Sequence, residues 1–123
     1  MKSDEMIERV HQYIKGVSAQ DIGAIRELYD EGAVVEDPIG SDPHVGIEAI
    51  CAFYEQGFPA KVRLELMGPV RCAGISAAFP FVCTTNFGGT KMRIDVIDVF
   101  EFNEKGKVQS MKAYWGPENC TQD

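Results

Sequence analysis

The sequence predicts an α+β fold: three N-terminal helices packed on one face of a curved, mainly antiparallel sheet. Two observations carry this. Apolar residues recur at three- and four-residue steps up to Gly57, and at two-residue steps after it. The second half also contains two hairpin turn signals, Gly88–Gly89 and Asn103–Glu104–Lys105–Gly106. Helices first and a meander afterwards is the α+β pattern.

Ser3 is placed to cap a first helix whose stripe is Met6, Val10, Tyr13, Ile14 and Val17. After a turn at Ser18–Asp21, a second helix carries Ile22, Ile25, Leu28 and Tyr29 on one face, and Gly32 is expected to end it. Ala33 to Asp37 then runs extended up to Pro38, because a residue preceding proline avoids the helical region. A polar loop from Gly40 to Gly46 leads to a third helix with the stripe Ile47, Ile50, Phe53, Tyr54. The expected strands are Val62–Met67, Ala77–Phe87, Lys91–Phe102 and Val108–Trp115. Pro80 cannot donate to a ladder, so its strand should be at an edge or bulged there.

The 123 residues suffice for one domain, residues 1–123, with no linker or repeat. Twelve basic against nineteen acidic residues give a net charge of −7, which repels phosphate backbones and anionic lipid. Nucleic acid and membrane are therefore not expected partners. No apolar stretch reaches membrane-spanning length and the first residues lack a signal core, which points to the cytoplasm. Cys51, Cys72, Cys83 and Cys120 are irregularly spaced and are expected to be reduced thiols.

Alternation in the third strand puts Ile94, Val96, Asp98, Phe100 and Phe102 on one face, with Asp98 the single polar member. A carboxylate facing a core is costly, so it either takes up a proton and becomes a donor or accepts hydrogen bonds from neighbours. As a neutral acid it would suit an oxyanion formed in a dry site. Asp95 falls on the opposite face with Arg93, a solvent-side pair. Asp37, pinned by Pro38 at the end of an extended segment, reads either as a partly desolvated general base or as a simple turn starter. Its neighbour Glu36 should point the other way. Tyr13, Tyr29 and Tyr54 all lie on apolar helical faces, where buried hydroxyls need partners and could form a chain.

Only His11 and His44 are available as histidines, and no motif has metal-ligand, nucleophile-elbow, dinucleotide or phosphate-loop spacing. Any chemistry must therefore run on carboxylates and phenols, which favours cofactor-free proton transfer.

The segments VVEDPIGSDPHVG around Asp37, MRIDVIDVFEFNEKGKV around Asp98, AFYEQG around Tyr54, GPVR at Gly68–Arg71 and MKAYWGPEN near the end, with Tyr13 in HQYIKGV, resemble bacterial Δ5-3-ketosteroid isomerases. The likeness runs from the first helix to about Cys120. It implies a cone-shaped fold of the nuclear-transport-factor-2 type enclosing an apolar pocket, and a homodimer formed through sheet faces. It implies Asp37 as general base, Tyr13 and a protonated Asp98 as oxyanion donors, and Tyr29 and Tyr54 as a supporting network. The implied reaction moves a proton from carbon 4 to carbon 6 of a β,γ-unsaturated 3-oxosteroid through a dienolate, without cofactor or metal. Val96, Phe100, Met111 and Trp115 are candidate pocket walls. Two other readings stay open: another enzyme on the same scaffold (cyclase, dehydratase or epoxide hydrolase), and a non-catalytic module that binds a hydrophobic ligand.

Overall fold

The computed structural model describes residues 1–122. The three helices are α1 (Ser3–Ser18), α2 (Ile22–Leu28) and α3 (Ile47–Gly57), and they cover one face of the sheet. The strands are β1 (Tyr29–Glu36), β2 (His44–Val45), β3 (Arg63–Leu66), β4 (Arg71–Ala73), β5 (Ser76–Phe87), β6 (Thr90–Phe102), β7 (Val108–Tyr114) and β8 (Cys120–Gln122). The sheet runs β2-β1-β7-β6-β5-β3, with β4 added to β5 and β8 added to β6. All these pairings are antiparallel except β1 with β7, which is parallel. No described helix is long and apolar enough to cross a membrane.

The three-helix, mostly antiparallel architecture is as expected, with several local differences. Ser3 is already helical, and the cap is Lys2, whose backbone N–H donates to Glu5 Oε1 at 2.9 Å. Asp21 caps α2 by accepting from the Ala24 N–H at 3.1 Å. Helix α2 then stops at Leu28, and Gly32 lies inside β1 rather than ending the helix. Tyr29 is extended and pairs with Val108, so tertiary pairing with β7 overrides the helical pattern of the sequence. The short strands β2, β4 and β8 carry too few residues for a two-residue period to show.

Pro80 sits on an interior stretch of β5, paired with Ile97 of β6. On its other side, β3 ends opposite Phe81 and β4 begins opposite Ala78. The Pro80 carbonyl accepts from the Met67 N–H at 2.9 Å, so the missing N–H faces the gap between two edge strands. The edge expectation holds for that side alone.

The core is one cluster between helices and sheet: Met6, Val10, Tyr13 and Val17 of α1 and Ile50 and Tyr54 of α3 meet Phe79, Phe100, Phe102 and Met111. The four cysteines are unpaired, with Cys51 buried. Arg93 and Asp95 form the expected outer-face pair at 3.2 Å.

Candidate functional site

Strand parity delivers Asp98 to the helix-covered face. It pairs across β5 with Phe79 and across β7 with Ala113, both fully buried. Asp98 itself is 1% exposed, and no other charged side chain is buried among the described residues. Neither of its carboxyl oxygens has a hydrogen-bond partner among them. Burial pushes its pKa well above the ordinary carboxyl value, and the Asp37 charge pushes the same way. The nearby Tyr13 hydroxyl opposes this only in part, without completing a hydrogen bond to either oxygen. Asp98 is therefore a buried carboxyl biased toward its neutral form, with no described side chain or backbone group hydrogen-bonded to either oxygen.

The phenols come together as a chain. Tyr29 and Tyr54 share a hydrogen bond of 2.6 Å, and the Tyr54 hydroxyl donates to that of Tyr13 at 3.2 Å. Tyr29 reaches the chain from the first residue of β1, not from a helix. Burial raises the pKa of all three, so they are neutral hydroxyls. Tyr13 is packed edge-on against Phe79, Phe100 and Tyr54, with ring centroids 6.0, 5.1 and 6.1 Å away.

Asp37 follows the last residue of β1 and precedes Pro38 across a cis peptide. Its Oδ1 accepts a hydrogen bond of 2.8 Å from the indole Nε1 of Trp115. Partial burial raises its pKa, while the Trp115 hydrogen bond and the His44 charge pull it back. His44 stacks on Phe53 with centroids 4.3 Å apart. Glu36 does point away, accepting from the Gly40 N–H at 2.8 Å.

Tyr13, Asp37, Tyr54, Val96 and Trp115 line one cavity of about 380 Å³, walled mostly by apolar side chains. Asp98 lies between Val96 and the core residue Phe100 on the same face of β6, at the inner end of that wall. Of the four expected wall residues, Val96 and Trp115 line the cavity. Phe100 and Met111 do not: both are fully buried, and Phe100 packs into an aromatic cluster with Tyr13, Phe79 and Phe102. Sequence parity names the correct face but not how deep along it the cavity reaches.

Further walls come from Phe58, Val62 and Leu64 and from Phe81, Cys83 and Ile94. Ile94 shares the face parity of Asp98, a signal sufficient to find it. Phe58, in the 3₁₀ turn Phe58–Ala60, carries no periodic signal. The Cys83 thiol is pushed up to about 11, chiefly by burial, so it is a neutral wall group. Among the described residues, no three His, Cys, Asp or Glu side chains gather as a metal site.

The cavity thus brings the Asp37 carboxyl and the neutral Tyr13 hydroxyl together within apolar walls, while the Asp98 carboxyl is buried on the same strand face and is not among the lining residues.

A family model described as a SnoaL-like domain matches residues 10–111. The chain is 38% identical over 115 residues to the steroid Delta-isomerase of Nocardioides simplex, covering 94% of this chain and 93% of that protein. It is 27% identical over 110 residues to epoxide hydrolase LasB of Streptomyces lasalocidi, covering 85% of this chain but 39% of that protein. A solved structure of the epoxide hydrolase/cyclase-like enzyme SalBIII, implicated in pyran ring formation in the polyether salinomycin, superposes with a TM-score of 0.92. That match has 28% identity and full coverage of both chains. The chain belongs to the SnoaL-like domain family, with the cone-shaped nuclear-transport-factor-2-type fold, and is related within it to the steroid Delta-isomerases.

Proposed function

We propose that the protein isomerises a β,γ-unsaturated 3-oxosteroid to its conjugated enone by intramolecular proton transfer. Asp37, ionised, removes a proton from carbon 4. The Tyr13 hydroxyl and the neutral Asp98 carboxyl donate to the dienolate oxygen that forms. Asp37 then returns the proton at carbon 6, so atoms and charge balance with no cofactor and no metal. Tyr54 and Tyr29 polarise and position Tyr13, and Val96 and Trp115 contact the fused rings.

The observation that carries this reading is the Asp98 carboxyl. It is buried, bears a raised pKa, and has no hydrogen-bond partner beside a phenol that lines the cavity. A structural aspartate would have its oxygens satisfied; these oxygens lack only a partner that a substrate oxygen would supply. The 38% identity to a steroid Delta-isomerase supports the substrate class. The same reading includes a cytoplasmic homodimer joined through the outer sheet face, where Ile97 and Tyr114 are 49% and 50% exposed.

The test mixes purified protein with 5-androstene-3,17-dione and follows the ultraviolet absorbance of the conjugated enone. Turnover is expected, with a loss of about 10²- to 10⁴-fold in Asp37→Asn, and retained binding of a phenolic steroid. No turnover of any β,γ-unsaturated 3-oxosteroid would sink the proposal. The likeness to LasB and SalBIII favours a second reading, acid–base opening of an epoxide in the same cavity. That reading predicts consumption of an epoxide and no enone band.

A further inference from the structure

The carboxyl of Asp37 stands just past the end of β1, and β1 lies between β7 and β2 in the sheet. From the β7 side the Trp115 indole holds Oδ1, the one hydrogen bond made to this carboxyl among the described residues. The β2 side carries His44, which no step of the isomerisation uses. His44 pairs with Val35, and Val45 pairs with Val34. Partners across an antiparallel pair face the same way. Val35 is fully buried, so His44 points to the helix-covered face, while Val45 points outward and is 64% exposed. Asp37, two positions beyond Val35 on the same parity, lines the cavity. Diagonal neighbours of this kind are about 7–8 Å apart, close enough for one charge to act on the other. The loop that returns β2 to β1 is tied at both ends. The Ser41 N–H and hydroxyl donate to the Pro38 carbonyl at 3.0 and 2.6 Å, and the Gly46 N–H donates to the Ala33 carbonyl at 2.8 Å.

The ring itself is held by α3. His44 stacks on Phe53 with centroids 4.3 Å apart and planes at 28°, and Phe53 lines the cavity with Asp37. The α3 positions flanking Phe53 on its face are Ala49, Ile50, Gln56 and Gly57, none of them charged. Glu48, Cys51 and Glu55 lie on the other side of that helix, where Arg26 pairs with Glu48 at 2.8 Å. On β1, Glu36 turns to the Gly40 N–H, and Glu31 is exposed and lies past Gly46. Asp42, two positions before His44, is exposed in the loop. Tyr13, Cys83 and Asp98 approach Asp37 from α1, β5 and β6, and all have raised pKa values, so none brings positive charge. No lysine or arginine lines the cavity among the described residues, in a chain of net charge −7. Burial raises the Asp37 pKa, and the His44 charge, like the Trp115 hydrogen bond, lowers it.

We propose that His44 is a positioning residue for Asp37: as an imidazolium in acidic solution it keeps the base ionised, and as a neutral ring in alkaline solution it leaves the base at full strength. The proposal rests on the isomerase reading for the proton that Asp37 removes. A permanent cation would also keep Asp37 ionised, but a carboxylate of lower pKa is the weaker base and abstracts a proton more slowly. Histidine is the side chain that supplies charge on the acid side of neutrality and withdraws it on the other.

The experiment separates ring from charge. His44→Phe keeps a ring to stack on Phe53 and has no charge, whereas His44→Arg is charged at every pH. Turnover of 5-androstene-3,17-dione is followed from about pH 4 to about pH 9. In His44→Phe the acid limb of kcat/KM should move up by about half a pH unit, a loss of about threefold below the limb and none at about pH 8. His44→Arg should keep the limb at or below its parent position and run about twofold slower at about pH 8. A second readout needs no turnover: the Asp37 carboxyl carbon, titrated by NMR in the free protein, should shift its midpoint up in His44→Phe and not in His44→Arg. A midpoint that stays put in His44→Phe, or rises equally in both variants, would overturn the proposal and leave the isomerase reading standing. If the parent protein turned over no β,γ-unsaturated 3-oxosteroid while the midpoint moved as expected, the isomerase reading would fall and the hold of His44 on Asp37 would stand.

Discussion

The Trp115 indole holds Asp37 by a hydrogen bond of 2.8 Å across 78 positions of sequence, and the parallel pairing of β1 with β7 explains how. Parallel strands end on the same side. Glu36 lies opposite Lys112, and the Ile39 N–H donates to the Ala113 carbonyl at 2.9 Å, so the residues leaving the two strands emerge side by side. The indole N–H stabilises the ionised form of a carboxyl whose burial favours the neutral one.

Trp115→Phe keeps an aromatic wall and removes that donor. A hydrogen bond to a charged group contributes about 1.5–3 kcal/mol, and about 1.4 kcal/mol corresponds to one pKa unit. The acid limb of kcat/KM should therefore move up by about one pH unit or more, since the base now needs higher pH to ionise. An unmoved limb, whatever happened to KM, would show that the indole is only a wall.

Asp98 should reveal its proton in two ways. Asp98→Asn can still donate and should keep more activity than Asp98→Ala or Asp98→Leu. Equal losses across the three would contradict the donor role. The second readout is stability. Because burial raises the folded pKa, the native state holds one proton more than the unfolded chain once pH exceeds the ordinary carboxyl range of about 4. This contribution is fully present below that range and is lost as pH rises toward the folded pKa, at up to about 1.4 kcal/mol per unit. Denaturant unfolding at a series of pH values should show this slope in the parent protein and its removal in Asp98→Asn.

How legible is this site in the sequence? Asp98 stands out because one carboxyl on an apolar strand face violates a two-residue period, and parity survives any error in strand ends. Tyr29 reads as helical because Ile22, Ile25 and Leu28 set a helical rhythm that it continues. Only its pairing with Val108, about 80 residues away, makes it a strand residue. The Trp115–Asp37 bond is illegible for the same reason: it depends on the one parallel pairing, which no turn motif announces. Phe100 and Met111 have the right face and the wrong depth. Periodicity reports which side of a strand is buried, and it cannot say whether helix or cavity covers a given position.

The middle tyrosine is the sensitive one. In Tyr54→Phe the Tyr13 hydroxyl loses its donor and the buried Tyr29 hydroxyl loses its partner. An unsatisfied buried hydroxyl costs about 1–3 kcal/mol, so the melting temperature should fall by several degrees. The lost polarisation of Tyr13 should lower kcat up to about tenfold with little change in KM. Tyr29→Phe removes only the terminal hydroxyl and should cost less on both counts. A larger kcat loss for Tyr29→Phe than for Tyr54→Phe would mean the chain does not run toward Tyr13.

Phe100 and Val96 lie on the same face of β6, yet one is core and the other cavity wall. Phe100→Ala should lower unfolding free energy by about 3–5 kcal/mol, measured in urea, because Tyr13, Phe79 and Phe102 cannot collapse into the void. Val96→Ala removes two methyl groups that face the ligand space. At about 0.8 kcal/mol for each buried methyl-sized group, it should raise the KM of an apolar steroid several-fold and destabilise the fold far less. Should Phe100→Ala instead leave stability intact and act mainly on KM, the cavity must extend past Asp98 to Phe100, and Phe100 would belong to the pocket wall that strand parity alone suggests.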